Sequence, residues 1–342
     1  MSNLEHLIKQ FSGKKVLVAP LDWGLGHATR CIPIIKMLKD SNAEVLVGAE
    51  GSAALLQNRE FPNIKILPLK GYRIKYTKSK AFFFFNILLQ LPKIARTVTY
   101  EKKWLDKIIE SEKIDVVISD NRLGLSNKKI PCYFITHQLH IKSGFSYLDK
   151  IIQKINYSYI NQFKECWVPD LEGDNNYAGE LSHPTTLPQV SVTYIGLLSR
   201  FQKSDVQKKY KLAIVLSGPE PQRTIFENKI INQLKFINDS VLLVRGLPDE
   251  KQPLKALPQN VTWYDHLHAE ALSVAMQQSE IVLSRSGYST IMDLIAIDQQ
   301  AVLVPTPGQT EQGYLAKYLS EKGLFKSMTQ DELDLKKVLN RI

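Results

Sequence analysis

The segment WGLGHATR at residues 23–30 joins an apolar run of strand type, KKVLVAP, to one of helix type, IPIIKML. Gly24 and Gly26 allow the backbone to approach a ligand closely, and the first amides of a helix are unpaired donors at its positive end. Such a turn suits an anion such as a diphosphate, with His27 and Arg30 at the helix mouth. It is equally the form of an ordinary tight turn, and Arg30 reads either as an anion partner or as a helix residue packed against Asp22. Two stretches of the second half repeat the arrangement. In LSGPEPQRT, residues 216–224, Gly218 permits close approach and Arg223 is placed to clamp a diphosphate. In SRSGYSTIMDL, residues 284–294, Ser286, Gly287, Tyr288 and Ser289 offer amides and hydroxyls at a helix start. Asp293 falls about two turns into that helix, where a carboxylate can accept both hydroxyls of a ribose; an N-cap serine with a surface aspartate is the plain alternative. Gln312, in the following loop of PTPGQTEQGYLAKYL, can point to the same ligand.

These residues need strands to end beside them and helices to begin beyond. Short β-rich runs alternate with helical patterns along the whole chain, the sign of parallel sheets built from βαβ units. The first half holds KVLVAP, EVLVGA, IKILPL, DVVISD and CYFITH; the second holds LAIVLSG, VLLVRG, VTWYD, EIVLSRSG and AVLVPTP. The fold class is therefore α/β, with two facing Rossmann-like domains, parallel sheets and an interdomain cleft suited to a two-part substrate. The expected division is an N-terminal domain over 1–168, a Gly-, Pro- and Asn-containing linker over 169–200, and a C-terminal domain over 201–325. A final helix over 326–342 is expected to pack back on the N-terminal domain.

A length of 342 residues, with 44% hydrophobic and 23% charged, is ordinary for a globular protein. Cys31, Cys132 and Cys166 form no metal-binding or disulfide spacing. Glu5 and His6 stand where a signal peptide would carry its apolar stretch, so no secretion signal is read. The net charge of +10 is unevenly spread: residues 1–170 hold 26 Lys and Arg against 15 Asp and Glu, whereas 171–342 hold 18 against 19. The excess is densest over 65–100, which has no acidic residue and contains AFFFFNILLQL. Eleven residues make a helix of about 16 Å, too short for a bilayer core of roughly 30 Å. A buried core helix is one reading. Four consecutive phenylalanines point around the whole helix, however, and bases flank them. Lys78, Lys80, Phe82, Phe83, Phe84 and Phe85 are therefore expected to contact an anionic membrane surface. The all-Phe run lacks the interleaved bases and aromatics of a nucleic-acid platform, so no nucleic-acid partner is expected.

RSGxxTxxD, a strand ending in Pro, and a Gln-containing loop before a helix together resemble the nucleotide-binding domain of the MurG-type enzymes. These are glycosyltransferases of family 28, with the GT-B fold. GLGH stands where that family has its glycine-rich first loop, THQL near its HEQN segment, and VTWYDHLHAEAL where its members contact uracil. The resemblance implies that Gly24 and Gly26 shape the first loop, with His27 near acceptor and donor phosphates. It implies that Gly218 and Arg223 belong to a second phosphate loop, and that Tyr264 and His268 lie beside the base. It further implies that Ser286, Gly287 and Ser289 bind the diphosphate, Asp293 the ribose and Gln312 the donor sugar. The chain departs from the family in its second loop, SGPEPQR instead of glycines, in Asp instead of Glu at 293, and in the offset of His137 from the family's histidine.

The chemistry implied is transfer of a sugar from a nucleotide sugar, UDP by resemblance, to a lipid or glycan acceptor, with inversion at the anomeric carbon. Loop amides, a helix dipole and Arg223 can stabilise the departing diphosphate without a metal, and no DxD triplet occurs. No cofactor is expected; the nucleotide sugar is a substrate. The acceptor hydroxyl needs a base, for which the candidates are His27, Asp120 and His137, with His27 preferred. The enzyme would work on the cytoplasmic face of a membrane. GLGHATRC also resembles the GxGHxxRC of UDP-sugar hydrolases of nonulosonic acid synthesis, which makes hydrolysis the second reading. Nucleotide-sugar 2-epimerases share the fold. An NAD-dependent oxidoreductase is a further alternative, with Glu50 as ribose-binding acid, but Thr29 occupies the third glycine of GxGxxG. A nucleotide-sugar-binding protein without turnover would use the same binding residues.

Overall fold

Runs such as VLVA and LAIV carry no polar alternation, the pattern of strands covered on both faces in a parallel sheet. The computed structural model describes residues 3–73, 83–142, 146–247 and 256–340 and divides into two compact units, one ending at Leu198 and the other starting at Ser199. The N-terminal unit runs α1 (Asn3–Lys9), β1 (Lys15–Pro20), α2 (Leu25–Asp40), β2 (Glu44–Ala49), α3 (Gly51–Glu60), β3 (Lys65–Pro68), α4 (Phe83–Glu112), β4 (Val116–Asp120), β5 (Cys132–Ile135), α5 (Ser146–Ile160), β6 (Glu165–Val168) and β7 (Ser191–Tyr194). Its seven strands lie in the order β3-β2-β1-β4-β5-β6-β7, every pair parallel. Leu17, Leu46, Val117, Phe134 and Cys166 from the strands pack with Leu105 of α4 and Ile160 of α5 in one core.

The C-terminal unit runs β8 (Tyr210–Val215), α6 (Gln222–Leu234), β9 (Val241–Val244), β10 (Val261–Tyr264), α7 (Ala269–Gln277), β11 (Ser279–Ser284), α8 (Tyr288–Ala296), β12 (Ala301–Leu303), α9 (Thr310–Glu321), β13 (Lys326–Ser327) and α10 (Leu335–Leu339). Its parallel sheet has the order β10-β9-β8-β11-β12-β13. Both sheets thus carry the Rossmann arrangement, in which the order reverses beside the first strand of the unit. All ten expected strands form.

Two expectations are corrected. Residues 169–200 are not a free linker. Asp170, wholly buried, accepts the backbone amides of Leu171, Tyr177 and Ala178 at 2.8–2.9 Å and the Ser182 hydroxyl at 2.6 Å, which ties down the Gly- and Asn-rich loop. The chain then enters β7, which pairs with β6 as the edge of the N-terminal sheet. Nor do residues 326–340 form one helix: they hold the two-residue β13 and then α10, which packs on α6 of its own unit. Leu335 and Val338 of α10 are buried with Phe226, Ile230 and Leu234 of α6, and Gln233 accepts the Leu335 amide at 2.8 Å.

Lys78, Lys80 and Phe82 of the expected membrane contact lie outside the described residues, while Phe83, Phe84 and Phe85 form the first turn of α4. Among the described residues no helix is long and apolar enough to cross a membrane.

Candidate active site

In each sheet the order reverses between two strands, β1 and β4 in the first and β8 and β11 in the second. Open α/β sheets take ligands beyond the carboxyl ends of such strands. In the N-terminal unit Gly24 has φ 80° and caps α2, a left-handed conformation that disfavours any residue with a Cβ, so α2 begins at Leu25 and His27 lies in its first turn. Gly26 is within that turn, its carbonyl accepting the Thr29 hydroxyl at 2.8 Å. Gln57 of α3 donates to the Ala28 carbonyl at 2.7 Å and fixes the helix start. The neighbouring loops are cross-linked: Asp22 accepts the amides of Tyr72 and Arg73 at 2.8 and 2.9 Å. Glu50 accepts the Gly71 amide and both arms of Arg73 at 2.7–2.8 Å. Its hydrogen bond to Arg73 holds Glu50 below the usual carboxylate range, so the residue read as a ribose-binding acid is already engaged.

Arg30 turns inward, to the end of β4 instead of to Asp22. Its Nη2 pairs with Asp120 Oδ1 and lies 2.9 Å from His27 Nδ1, while its Nη1 lies 2.9 Å from His137 Nδ1, two residues past β5. His27 Nδ1 is also 3.0 Å from Asp120 Oδ2. The three candidate bases therefore meet in one cluster. Exposure separates them: Asp120 is wholly buried and His137 nearly so, whereas the His27 side chain is 17% exposed. Burial opposes ionisation of Asp120, but the charges and hydrogen bonds of Arg30 and His27 outweigh it and hold the carboxyl below its ordinary range. An ionised aspartate on one ring nitrogen leaves the other to exchange protons with a substrate, the logic of a catalytic dyad.

Beneath this cluster lies a buried pair absent from the sequence reading. Arg122, wholly buried, donates to the carbonyls of Pro20 and Lys70 and, at 2.7 Å, to Glu101 of α4. Glu101 also accepts the Tyr72 hydroxyl and the Gly124 amide at 2.9 Å. The pair joins the ends of β1, β3 and β4 to α4.

The C-terminal unit is built differently. Gly218 follows β8 at φ 109°, and a Cβ there would lie 3.9 Å from Thr306 Oγ1. Gly287 caps α8, and a Cβ there would lie 4.0 Å from Gln312 Nε2. Ser286 donates to the Gln312 carbonyl at 2.9 Å, and Gln312 Oε1 accepts the Thr306 amide at 2.8 Å. Gly218, Ser286, Gly287 and Gln312 therefore converge, with Ser289 on the same helix start. Thr306, which the sequence reading missed, is buried and its hydroxyl has no hydrogen-bond partner among the described residues. Leaving a buried hydroxyl unpaired costs about 1–3 kcal/mol, a cost that a ligand oxygen would offset. Tyr264 is exposed at the end of β10, and His268 is the N-cap of α7 with its ring 5.8 Å from that of His266.

Two residues depart from their expected roles. Arg223 is 2% exposed and spent on protein partners: Nε donates to Glu220 at 2.6 Å, Nη1 to Glu227 and the Arg245 carbonyl at 3.2 Å, and Nη2 to Thr224 at 2.8 Å. It is a strut between α6 and β9 in place of a diphosphate clamp. Asp293 is buried beneath Ser199, whose hydroxyl donates to it at 2.7 Å, with Arg200 Nε 3.7 Å away. Burial outweighs these partners and pushes its pKa up to about 6, so it is not presented as a free ribose acceptor. Arg285 likewise ties the carbonyls of Val304 and Pro305, just past β12, to Gln330, and burial pushes it down to about 10. Among the described residues no group of three or more His, Cys, Asp or Glu is placed to hold a metal ion.

Two parallel Rossmann-like sheets with these strand-end sites define the GT-B architecture. The chain aligns over 96% of its length with the crystal structure of MurG from Acinetobacter baumannii, at TM-score 0.58 and 16% identity, covering 89% of that chain. It aligns equally with the glycosyltransferase of kitacinnamycin, at TM-score 0.66 and 14% identity. These likenesses show the fold. Residues 222–342 match the glycosyltransferase family 28 C-terminal domain. An uncharacterized glycosyltransferase of Methanosarcina acetivorans is 25% identical over 92% of this chain and 84% of its own. The UDP-N-acetylglucosamine--N-acetylmuramyl-(pentapeptide) pyrophosphoryl-undecaprenol N-acetylglucosamine transferase of Natranaerobius thermophilus is 22% identical over 96% of this chain and 90% of its own. The chain is a glycosyltransferase that resembles the MurG-type enzymes of family 28.

Proposed function

We propose that the protein transfers a sugar from a UDP-sugar to a membrane-associated acceptor by a metal-independent, inverting displacement, with His27 as base. The observation that carries this reading is the pairing of a part-exposed histidine with a buried, ionised aspartate at 3.0 Å. The acceptor hydroxyl attacks the anomeric carbon as the bond to the diphosphate breaks, and the hydroxyl proton passes to His27 Nε2. Asp120 then stabilises the imidazolium through Nδ1–H. The Gly218, Ser286, Gly287, Thr306 and Gln312 cluster supports nucleotide binding by the C-terminal domain, where amides and hydroxyls meet the departing UDP. UDP is favoured by the MurG-type relatives, which are named for a UDP-N-acetylglucosamine donor; a dTDP complex of the glycosyltransferase VinC has the same fold at TM-score 0.57.

A membrane-bound acceptor is supported by the charge of the N-terminal half and by α5. Tyr147, Ile151 and Ile155 form an exposed apolar stripe along that helix with Lys150 and Lys154 exposed beside it, while Tyr157 and Ile160 bury the opposite face. Such a two-sided helix lies well at a lipid interface. The site of action is then peripheral, on the cytoplasmic face. UDP release from a panel of UDP-sugars, with and without a lipid extract of the source organism, tests the reading. Lipid-dependent release with sugar recovered in the lipid phase is the expected result. Equal release without lipid, giving free sugar, would establish a hydrolase instead.

A further inference from the structure

An arginine carries five N–H donors and no acceptor, and it keeps its proton throughout the working pH range. A ring nitrogen that accepts a hydrogen bond from a guanidinium is therefore the bare nitrogen of its ring. Arg30 Nη1 lies 2.9 Å from His137 Nδ1, so His137 is bare at Nδ1 and, as a neutral ring, carries its proton on Nε2. In that state neither nitrogen is free to accept a proton, and the ring is a donor.

His27 meets opposite demands at one atom. Asp120 Oδ2, which only accepts, is 3.0 Å from its Nδ1; Arg30 Nη2, which only donates, is 2.9 Å from the same nitrogen. With the proton on Nδ1 and directed to Asp120, Nε2 is bare and basic. With Nδ1 bare and accepting from Arg30, Nε2 carries the proton and the ring matches His137. Only the first arrangement can go on to the imidazolium, because that cation has N–H at both positions and Arg30 cannot accept one. Arg30 is also paired through Nη2 with Asp120 Oδ1, which turns Oδ2 towards His27.

We propose that Arg30 is a positioning residue that sorts the two histidines into opposite roles, fixing His137 as a neutral Nε2–H hydrogen-bond donor and leaving His27, through Asp120, as the proton acceptor of the cluster. The assignment rests on the glycosyl-transfer reading only for the atom that loses the proton; the two ring states do not depend on it. It removes His137 from the candidate bases and gives it the task of donating to an oxygen.

Histidine-selective nitrogen-15 labelling of the full chain tests this without any substrate. Two-bond proton–nitrogen spectra near neutral pH distinguish the two neutral tautomers and the cation, and His27→Gln and His137→Gln assign the signals. The expected wild-type result is an Nε2–H ring for His137 and an Nδ1–H ring for His27. Arg30→Met, and Arg30→Lys, which keeps the charge but loses the planar fork, are expected to release His137 from its single tautomer. His137 appearing in wild type as Nδ1–H or as the cation would overturn the proposal, even where the variants fail to fold. An unchanged His137 pattern in a folded Arg30→Met protein would overturn it as well. In the transfer assay Arg30→Met is expected to lower kcat about tenfold with the donor KM little changed. A failure to find any transfer leaves the spectra to decide this proposal on their own.

Discussion

The two sheets share one strand order and end in sites of opposite character. Beyond β1 and β4 the chain gathers charge: Arg30 and Asp120, buried, with two histidines on the same guanidinium. Beyond β8 and β11 it gathers amides and hydroxyls from Gly218, Ser286, Gly287, Thr306 and Gln312, while Arg223 and Arg245 are tied to carboxylates. A buried charge cluster holds a proton acceptor in one ionisation state. A set of neutral donors holds an anion through fixed dipoles without burying a further charge. A repeated topology thus supplies position only, and on the proposed reading the side chains at the strand ends divide proton transfer from nucleotide binding.

The largest expected effect lies in the charged site. His27→Ala is expected to lower turnover by about 10²- to 10⁴-fold with the protein still folded, as followed by steady-state UDP release and circular dichroism. Turnover within a few-fold of wild type would remove His27 from the role of base. Beneath it, Arg122→Met leaves Glu101 buried with hydroxyl and amide partners but no cation. A loss of about 3–5 kcal/mol in denaturant unfolding is expected, and a loss below 1 kcal/mol would show that the pair is not what holds these loops.

The neutral site has its own sharp test in pH. Asp293 has a folded pKa of about 6 against an ordinary 3.8, because burial disfavours its charge. The folded state therefore holds the proton more tightly than the unfolded chain. Its contribution is complete below about pH 4 and lost as pH rises through 6, a change of up to about 3 kcal/mol. Asp293→Asn is expected to flatten the fall in stability between these limits, measured by urea midpoints across the range. A fall of unchanged slope would place the proton uptake elsewhere. The smallest effect is expected from Arg223→Met. It should cost about 1–3 kcal/mol of stability and leave the donor KM within about threefold. A large rise in KM would restore Arg223 as a phosphate contact and narrow the contrast between the two sites.

Much of this architecture is legible in the sequence because parallel strands covered on both faces are written as unbroken apolar runs. The strands that escape such reading have no such run. ECWV opens on a charge and is four residues long, SVTY is a partly exposed edge strand after a Pro-containing loop, and KS has two residues. The same holds for side chains. The meeting of His27, Asp120 and His137 follows from strand ends that the sequence marks. The engagement of Arg223 was also visible, since Glu220 and Glu227 stand three residues before and four after it, the spacing of neighbours on a helix. Nothing local announces that Ser199 covers Asp293, which is 94 residues away, or that Glu101 reaches Arg122 from a helix entered through a run of phenylalanines.

The division of labour is tested most directly by calorimetric titration of UDP into wild type and His27→Ala. The account predicts binding to both with dissociation constants within about threefold, although the variant turns over about 10²- to 10⁴-fold more slowly. A tenfold or greater weakening in His27→Ala would place His27 in the nucleotide site and contradict the account, as would the absence of UDP binding to the wild-type protein.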